Sequence, residues 1–174
     1  KNVQISGHFQ SVNDMNDIPL LQYSYRLFTN SLNGFIKRDT QDWIRLLNDV
    51  KLDKGYVYLY KNGEDVLGYM IYYLENREFS IREMVFLNEK AKLEMLKFAA
   101  NHSDIVDQIQ WKAPNIRYVN PNIGKHGIKW SENPFVMGRI VDVKKILKKI
   151  MLGHGDIELD LTVKVIDPLL EWNN

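Results

Sequence analysis

Glu83 is the side chain whose type best suits proton transfer, a carboxylate beside Arg82 in a run of strand-forming residues. A general base must reach the proton that it removes, and a Glu next to an Arg is far more often an ion pair or a solvated strand face. No histidine or second carboxylate stands at a spacing that would complete such a site, so no catalytic residue is assigned. His8 and His102 are isolated, and His126 and His154 sit in glycine-flanked turns. None belongs to a pair of the His-Glu-x-x-His kind, and no metal is expected. Gly124-Lys125-His126-Gly127 is only loosely an anion-binding turn, because a phosphate loop would place Gly-Lys-Ser/Thr at the opening of a helix. Tyr56, Tyr58, Tyr60, Tyr69, Tyr72 and Tyr73 could stack on bases, but cross-strand packing explains them better without a basic groove.

Composition narrows the classes further. The 174 residues are 45% hydrophobic with a net charge of +1, enough for a proper core and no surplus of cations for a phosphate backbone. Nucleic acid is therefore not an expected partner. The chain has no cysteine, which removes disulfides, thiolate catalysis and zinc–thiolate sites. No segment approaches the roughly 20 apolar residues of a membrane span, and the polar amino-terminal stretch lacks a signal sequence, so a cytoplasmic location is expected.

The elements that must position any site follow from periodicity. Residues 3–12 read as an edge strand or entry arm, and Pro19 suits the start of a helix running to about 31. Asp39 or Thr40 can cap a second helix, whose apolar face is Trp43, Ile44, Leu46 and Leu47. Strands over 56–60 and 66–73, joined through Asn62-Gly63, read as a hairpin, with a third strand over 79–86. A helix is expected over 89–101, with Leu93, Leu96, Lys97 and Ala100 on one side and Lys90, Lys92 and Glu94 toward water. A strand over 106–111 ends at Ala113-Pro114, and 115–133 is a turn-rich connection. A strand from Pro134 then runs into a helix capped by Asp142, with Ile146, Leu147 and Ile150 recurring above a solvated face of Lys144, Lys145, Lys148 and Lys149. Alternation from Ile157 to Val165 predicts a final strand without a partner, as if the chain were a fragment of something larger.

Two helices, a three-stranded meander, a helix and a strand form an order that resembles the GNAT acetyl-CoA-dependent N-acetyltransferases. Local matches sharpen it: Gly34-Phe35-Ile36-Lys37-Arg38 followed by Trp43, Gly68-Tyr69-Met70-Ile71-Tyr72, Ile81-Arg82-Glu83-Met84, and Met137-Gly138-Arg139-Ile140-Val141-Asp142-Val143. Together they resemble the Eis-like (enhanced intracellular survival) enzymes, which join a catalytic GNAT domain, a second degenerate GNAT domain and a sterol-carrier-like domain. The resemblance implies an α+β fold, a GNAT-like mixed sheet flanked by helices, over 1–151. Residues 152–174 would begin a truncated sterol-carrier-like domain, whose pattern Asp167, Trp172 and Asn173 also fit.

For the parent protein the resemblance implies acetyl transfer to a small-molecule or lysine amine acceptor, and a homo-oligomer. GNAT enzymes hold the donor pyrophosphate on a glycine-rich turn opening a helix, where bare amides and the helix dipole meet it. The matching stretch here, 85–92, contains no glycine, and Glu89 stands at the helix start. No cofactor is therefore expected for this chain, and acetyl-CoA would be bound by a domain that it does not contain. The resemblance also implies Arg38 and Trp43 as substrate-binding residues, against the commoner role of Trp43 as core on its helix face. The alternatives are a non-enzymatic binding or scaffold module with a lipid-carrier-like appendage, and an independent GNAT enzyme with an unusual cofactor loop.

Overall fold

Strand β1 (His8–Ser11) is the short edge of a five-stranded sheet, paired antiparallel with β2 (Tyr56–Asn62). Between them lie α1 (Ile18–Thr29), with Pro19 in its first turn, and α2 (Thr40–Leu52). The Asp39 carboxylate accepts from the Asp42 amide at 2.9 Å, and Asp42 returns the bond to the Asp39 amide at 3.0 Å. This reciprocal cap fixes where α2 begins. Strands β3 (Asp65–Glu75) and β4 (Glu78–Phe86) continue the antiparallel meander, α3 (Glu89–Ala100) follows, and β5 (Gln108–Trp111) closes the sheet. β5 runs parallel to β4, which requires the crossover that α3 supplies. The result is a mixed sheet flanked by helices, the α+β arrangement expected from the sequence.

The computed structural model describes residues 7–30, 32, 34–114, 129, 131–133, 138–149 and 162–173. They fall into two units, Lys1–Ile123 and Gly124–Asn174. The sheet of the first unit separates two cores. Alternation along β3 sends Tyr69 and Ile71 to one face, where Leu21, Tyr25, Trp43, Val50 and Val85 pack. Met70 and Tyr72 go to the other face, against Met84, Phe86, Ala91, Met95 and Ala99.

A bulge changes this alternation in β4. Ile71 faces Glu83 but Tyr72 faces Ile81, so Arg82 is the extra residue. Phe79 and Ile81 lie on the α3 side, and without the bulge Glu83 would follow them by period two. The added residue turns Glu83 to the α1–α2 side instead. A second bulge puts Leu67 between Val66, opposite Lys61, and Gly68, opposite Tyr60. Gly68 has φ +155°, and a Cβ there would lie 2.1 Å from the Val85 carbonyl oxygen, so only glycine fits.

The expected faces of α3 are corrected. Its buried residues are Ala91, Lys92, Met95 and Ala99, whereas Leu93 is 42% exposed. Lys92, expected in water, lies in the apolar face, its ammonium 2.6 Å from Glu89 and over the Phe86 ring. Its long stem packs as hydrocarbon while the charged end is satisfied locally. The strand expected over 106–111 begins at Gln108, after a turn held by amide bonds to the His102 carbonyl.

In the second unit α4 (Val143–Lys149) is capped by Asp142, which accepts from the Lys145 amide at 2.9 Å. The Asp167 carboxylate accepts from Arg139 at 2.5 Å, from the amides of Leu169 and Leu170, and from the Asn173 amide group. Trp172 Nε1 donates to the Val141 carbonyl at 2.8 Å. These bonds tie the segment before α4 to the 167–173 turn. Residues 162–165, expected to end a strand, are irregular, as no strand among the described residues pairs with them. The start of that strand at 157–161 and the beginning of the one at 134–137 lie outside the described residues.

Candidate functional site

The α1–α2 side of β4 holds a polar cluster inside an aromatic frame. Arg38, just before the α2 cap, donates to Glu83 through both terminal nitrogens, at 2.7 and 2.6 Å. This is the paired geometry in which a guanidinium binds a carboxylate most strongly. Tyr69, fully buried on β3, donates its hydroxyl to the same carboxylate at 2.5 Å. The Arg38 guanidinium carbon lies 4.4 Å from the centre of the Tyr25 ring and 5.0 Å from that of Trp43, inside cation–π range. Trp43 meets Tyr25 and Tyr69 edge to face, each at 5.7 Å. Tyr25 in turn donates to the Ile36 carbonyl at 2.8 Å, holding the approach to Arg38 against α1.

The side chains of Arg38 and Glu83 are 18% and 24% exposed, so the pair sits just under the surface. Burial works against the Arg38 charge, but the hydrogen bonds and charge of Glu83 outweigh it and raise its pKa. Burial pushes the Tyr69 hydroxyl well above the ordinary tyrosine range, and the adjacent Glu83 carboxylate pushes it further. Tyr69 therefore stays protonated and acts as a donor. Glu83, bonded by Arg38 and Tyr69, has its oxygens committed to protein groups, which suits a structural anchor better than a base.

Arg38 and Trp43, the two residues that the resemblance implied as substrate-binding, lie against each other. Trp43 is completely buried, so its indole offers no surface for direct substrate contact. Its Nε1–H is buried without an acceptor among the described residues, as is that of Trp111. The sequence did not reveal that Glu83 joins Arg38 across 45 positions, since the β4 bulge that turns it leaves no mark in the residue pattern. Tyr69 shares the face of Ile71 by the strand's period of two, but Met70 and Tyr72 are equally buried on the other face, so the pattern did not single it out.

The second place of interest is the turn from β4 into α3. β4 pairs with β5 only through Glu78–Ile81, and no described strand lies beside Arg82–Phe86 on that side. At the end of that open edge, Asn88 caps α3 by accepting from the Ala91 amide at 2.8 Å. Glu89 occupies the first turn, paired with Lys92. A shallow depression of about 300 Å³ is lined by Leu27, Phe28, Phe86, Leu87, Asn88 and Glu89. A larger one of about 490 Å³, near the β3–β4 turn, is lined by Asp53, Tyr73, Glu75, Asn76, Glu78, Ser80 and Gln108. No cluster of three metal-binding side chains occurs among the described residues, and no described helix is long and apolar enough to cross a membrane.

Residues 34–140 match the family model for an acetyltransferase (GNAT) domain. The chain belongs to the GNAT acetyltransferase family. Solved GNAT-type structures share its fold at low identity. A probable N-acyltransferase from Enterococcus faecalis V583 is 21% identical, with a TM-score of 0.54 over 62% of this chain and 27% of its own. A GCN5-related N-acetyltransferase from Anabaena variabilis is 23% identical, with a TM-score of 0.50 over 61% of this chain and 28% of its own. A ribosomal-protein-alanine N-acetyltransferase from Brucella melitensis biovar Abortus is 13% identical, with a TM-score of 0.56 over 76% of this chain and all of its own. This GNAT chain therefore spans only about a quarter of the first two proteins' length. No curated protein matches the sequence.

Proposed function

We propose that this chain is a non-catalytic GNAT domain of a longer acetyl-CoA-dependent N-acetyltransferase, in which another domain binds the donor and transfers acetyl to an amine. The observation that carries this reading is the closed β4–α3 turn. A pyrophosphate reaches a helix N-terminus only where small residues let backbone amides approach it. Here the Asn88 side chain occupies the Ala91 amide, Glu89 places a carboxylate in the first turn, and no glycine lies between Phe86 and Lys92. The anionic end of coenzyme A does not fit that arrangement, and no chemical step is assigned to this domain. Support for a longer parent comes from the Enterococcus and Anabaena proteins, each more than three times the matched length. The finer reading is the second, degenerate GNAT unit of an Eis-like enzyme, continuing into a sterol-carrier-like domain and assembling as an oligomer in the cytoplasm.

The test is calorimetric titration of the 174-residue chain with acetyl-CoA. The expected result is no heat of binding up to millimolar ligand. Saturable micromolar binding would overturn the reading and make the chain a donor-binding enzyme in its own right.

A further inference from the structure

The Arg38 cluster has the composition of a receptor site rather than of an ordinary surface ion pair. A guanidinium is recognised by a carboxylate that meets its fork edge-on and by aromatic rings that cover its weakly hydrated faces. Glu83 supplies the first at 2.6 and 2.7 Å, and Tyr25 and Trp43 supply the second at 4.4 and 5.0 Å. Every one of these partners is itself fixed. Tyr69 orients the Glu83 carboxylate, Tyr25 is pinned to the Ile36 carbonyl, and Trp43 is wedged between the Tyr25 and Tyr69 rings. Only Arg38 arrives from an irregular segment, residues 34–39, which enters at Gly34 with φ +84° and carries Ile36 70% exposed.

We propose that Tyr25, Trp43, Tyr69 and Glu83 form a guanidinium-binding cage, and that Arg38 is its resident occupant, closing this domain to cationic ligands from outside. The receptor half is built into β3, β4, α1 and α2, and the ligand half is delivered by the connecting strap. The 18% exposure of the Arg38 side chain marks a way to solvent through which a small guanidinium can enter once the side chain is shortened. The cage stands on the geometry of the first unit whether or not that unit binds acetyl-CoA, so the calorimetric test above can fail without touching it.

The experiment is chemical rescue of Arg38→Ala. Its melting temperature is measured in guanidinium chloride at about 10 mM, far below denaturing concentrations, against sodium chloride and methylammonium chloride of equal ionic strength. A ligand that binds only the folded state raises the melting point, whereas guanidinium acting as a denaturant lowers it. A rise of several degrees specific to guanidinium is expected for Arg38→Ala, and none for the wild type or for Arg38→Ala/Glu83→Gln. Absence of a rise in Arg38→Ala, or an equal rise in the double variant, overturns the proposal. If Arg38→Ala does not fold alone, refolding with guanidinium present from the outset gives the same reading: recovery supports the cage, and a chain that stays unfolded refutes it.

Discussion

Replacing Glu83 by Gln keeps the side-chain shape and removes the charge that Arg38 faces. Breaking a fully buried ion pair from one side costs about 3–5 kcal/mol, because an unpaired charge remains. Both side chains here keep some access to water, at 18% and 24%, and the Gln carbonyl can still accept one bond, from Arg38 or from Tyr69. The expected loss is therefore smaller, about 2 kcal/mol. For a domain of this size that lowers the melting temperature by about 10 °C. Urea denaturation of the wild type, Glu83→Gln, Arg38→Met and the double variant measures the coupling directly. The double variant should lose less than the sum of the single ones, by about 1–2 kcal/mol, since the second change removes a charge already unpaired. Strict additivity, or a loss under about 0.5 kcal/mol for Glu83→Gln, would show that the cluster does not anchor the strap.

Three further outcomes follow from other positions. Gly68→Ala should cost about 3 kcal/mol or more by denaturation, because the backbone at φ +155° and the Val85 carbonyl 2.1 Å from the new Cβ both oppose it; a loss under about 1 kcal/mol refutes the local geometry. Lys92→Met should leave the melting temperature unchanged or higher, since a buried ammonium is replaced by hydrocarbon of similar length; a loss above about 1.5 kcal/mol would show that the Glu89 pair carries real stability. Asp167 is held below the usual carboxylate range, first by the Asn173 amide group, then by the Leu169 and Leu170 amides and Arg139. Its folded value being depressed, its contribution is present above about pH 3.9 and is lost as pH falls through the folded value. The Trp172 indole N–H signal in NMR should therefore lose its folded position in that acid window, and Asp167→Asn should abolish the pH dependence; an unchanged acid transition in the variant contradicts this assignment.

Much of the first unit was legible because local chemistry agrees with the fold. Asp39 caps α2, Asn62-Gly63 turns the hairpin, and the run of aromatic and branched residues over 66–73 marks β3. What escaped was set by tertiary geometry. Arg82 carries no sign of being a bulge residue, yet that bulge decides which side Glu83 joins. Lys92 has the composition of a surface residue and is buried because its ammonium finds Glu89 within one helical turn. In the second unit, the alternation of residues 162–165 is a strand pattern without a neighbouring strand among the described residues, and pattern alone does not make a sheet.

The Asn88 cap ties the side chains of the β4–α3 turn to the stability of the sheet. Opening the β4–α3 turn to phosphate by the obvious route, glycines at 88 and 89, would delete the side chain that seats α3 and strip Lys92 of its carboxylate partner. The losses would fall on the helix that links β4 to its parallel neighbour β5. Glycines in this turn would therefore need stabilising changes elsewhere in the domain before the fold could accommodate them.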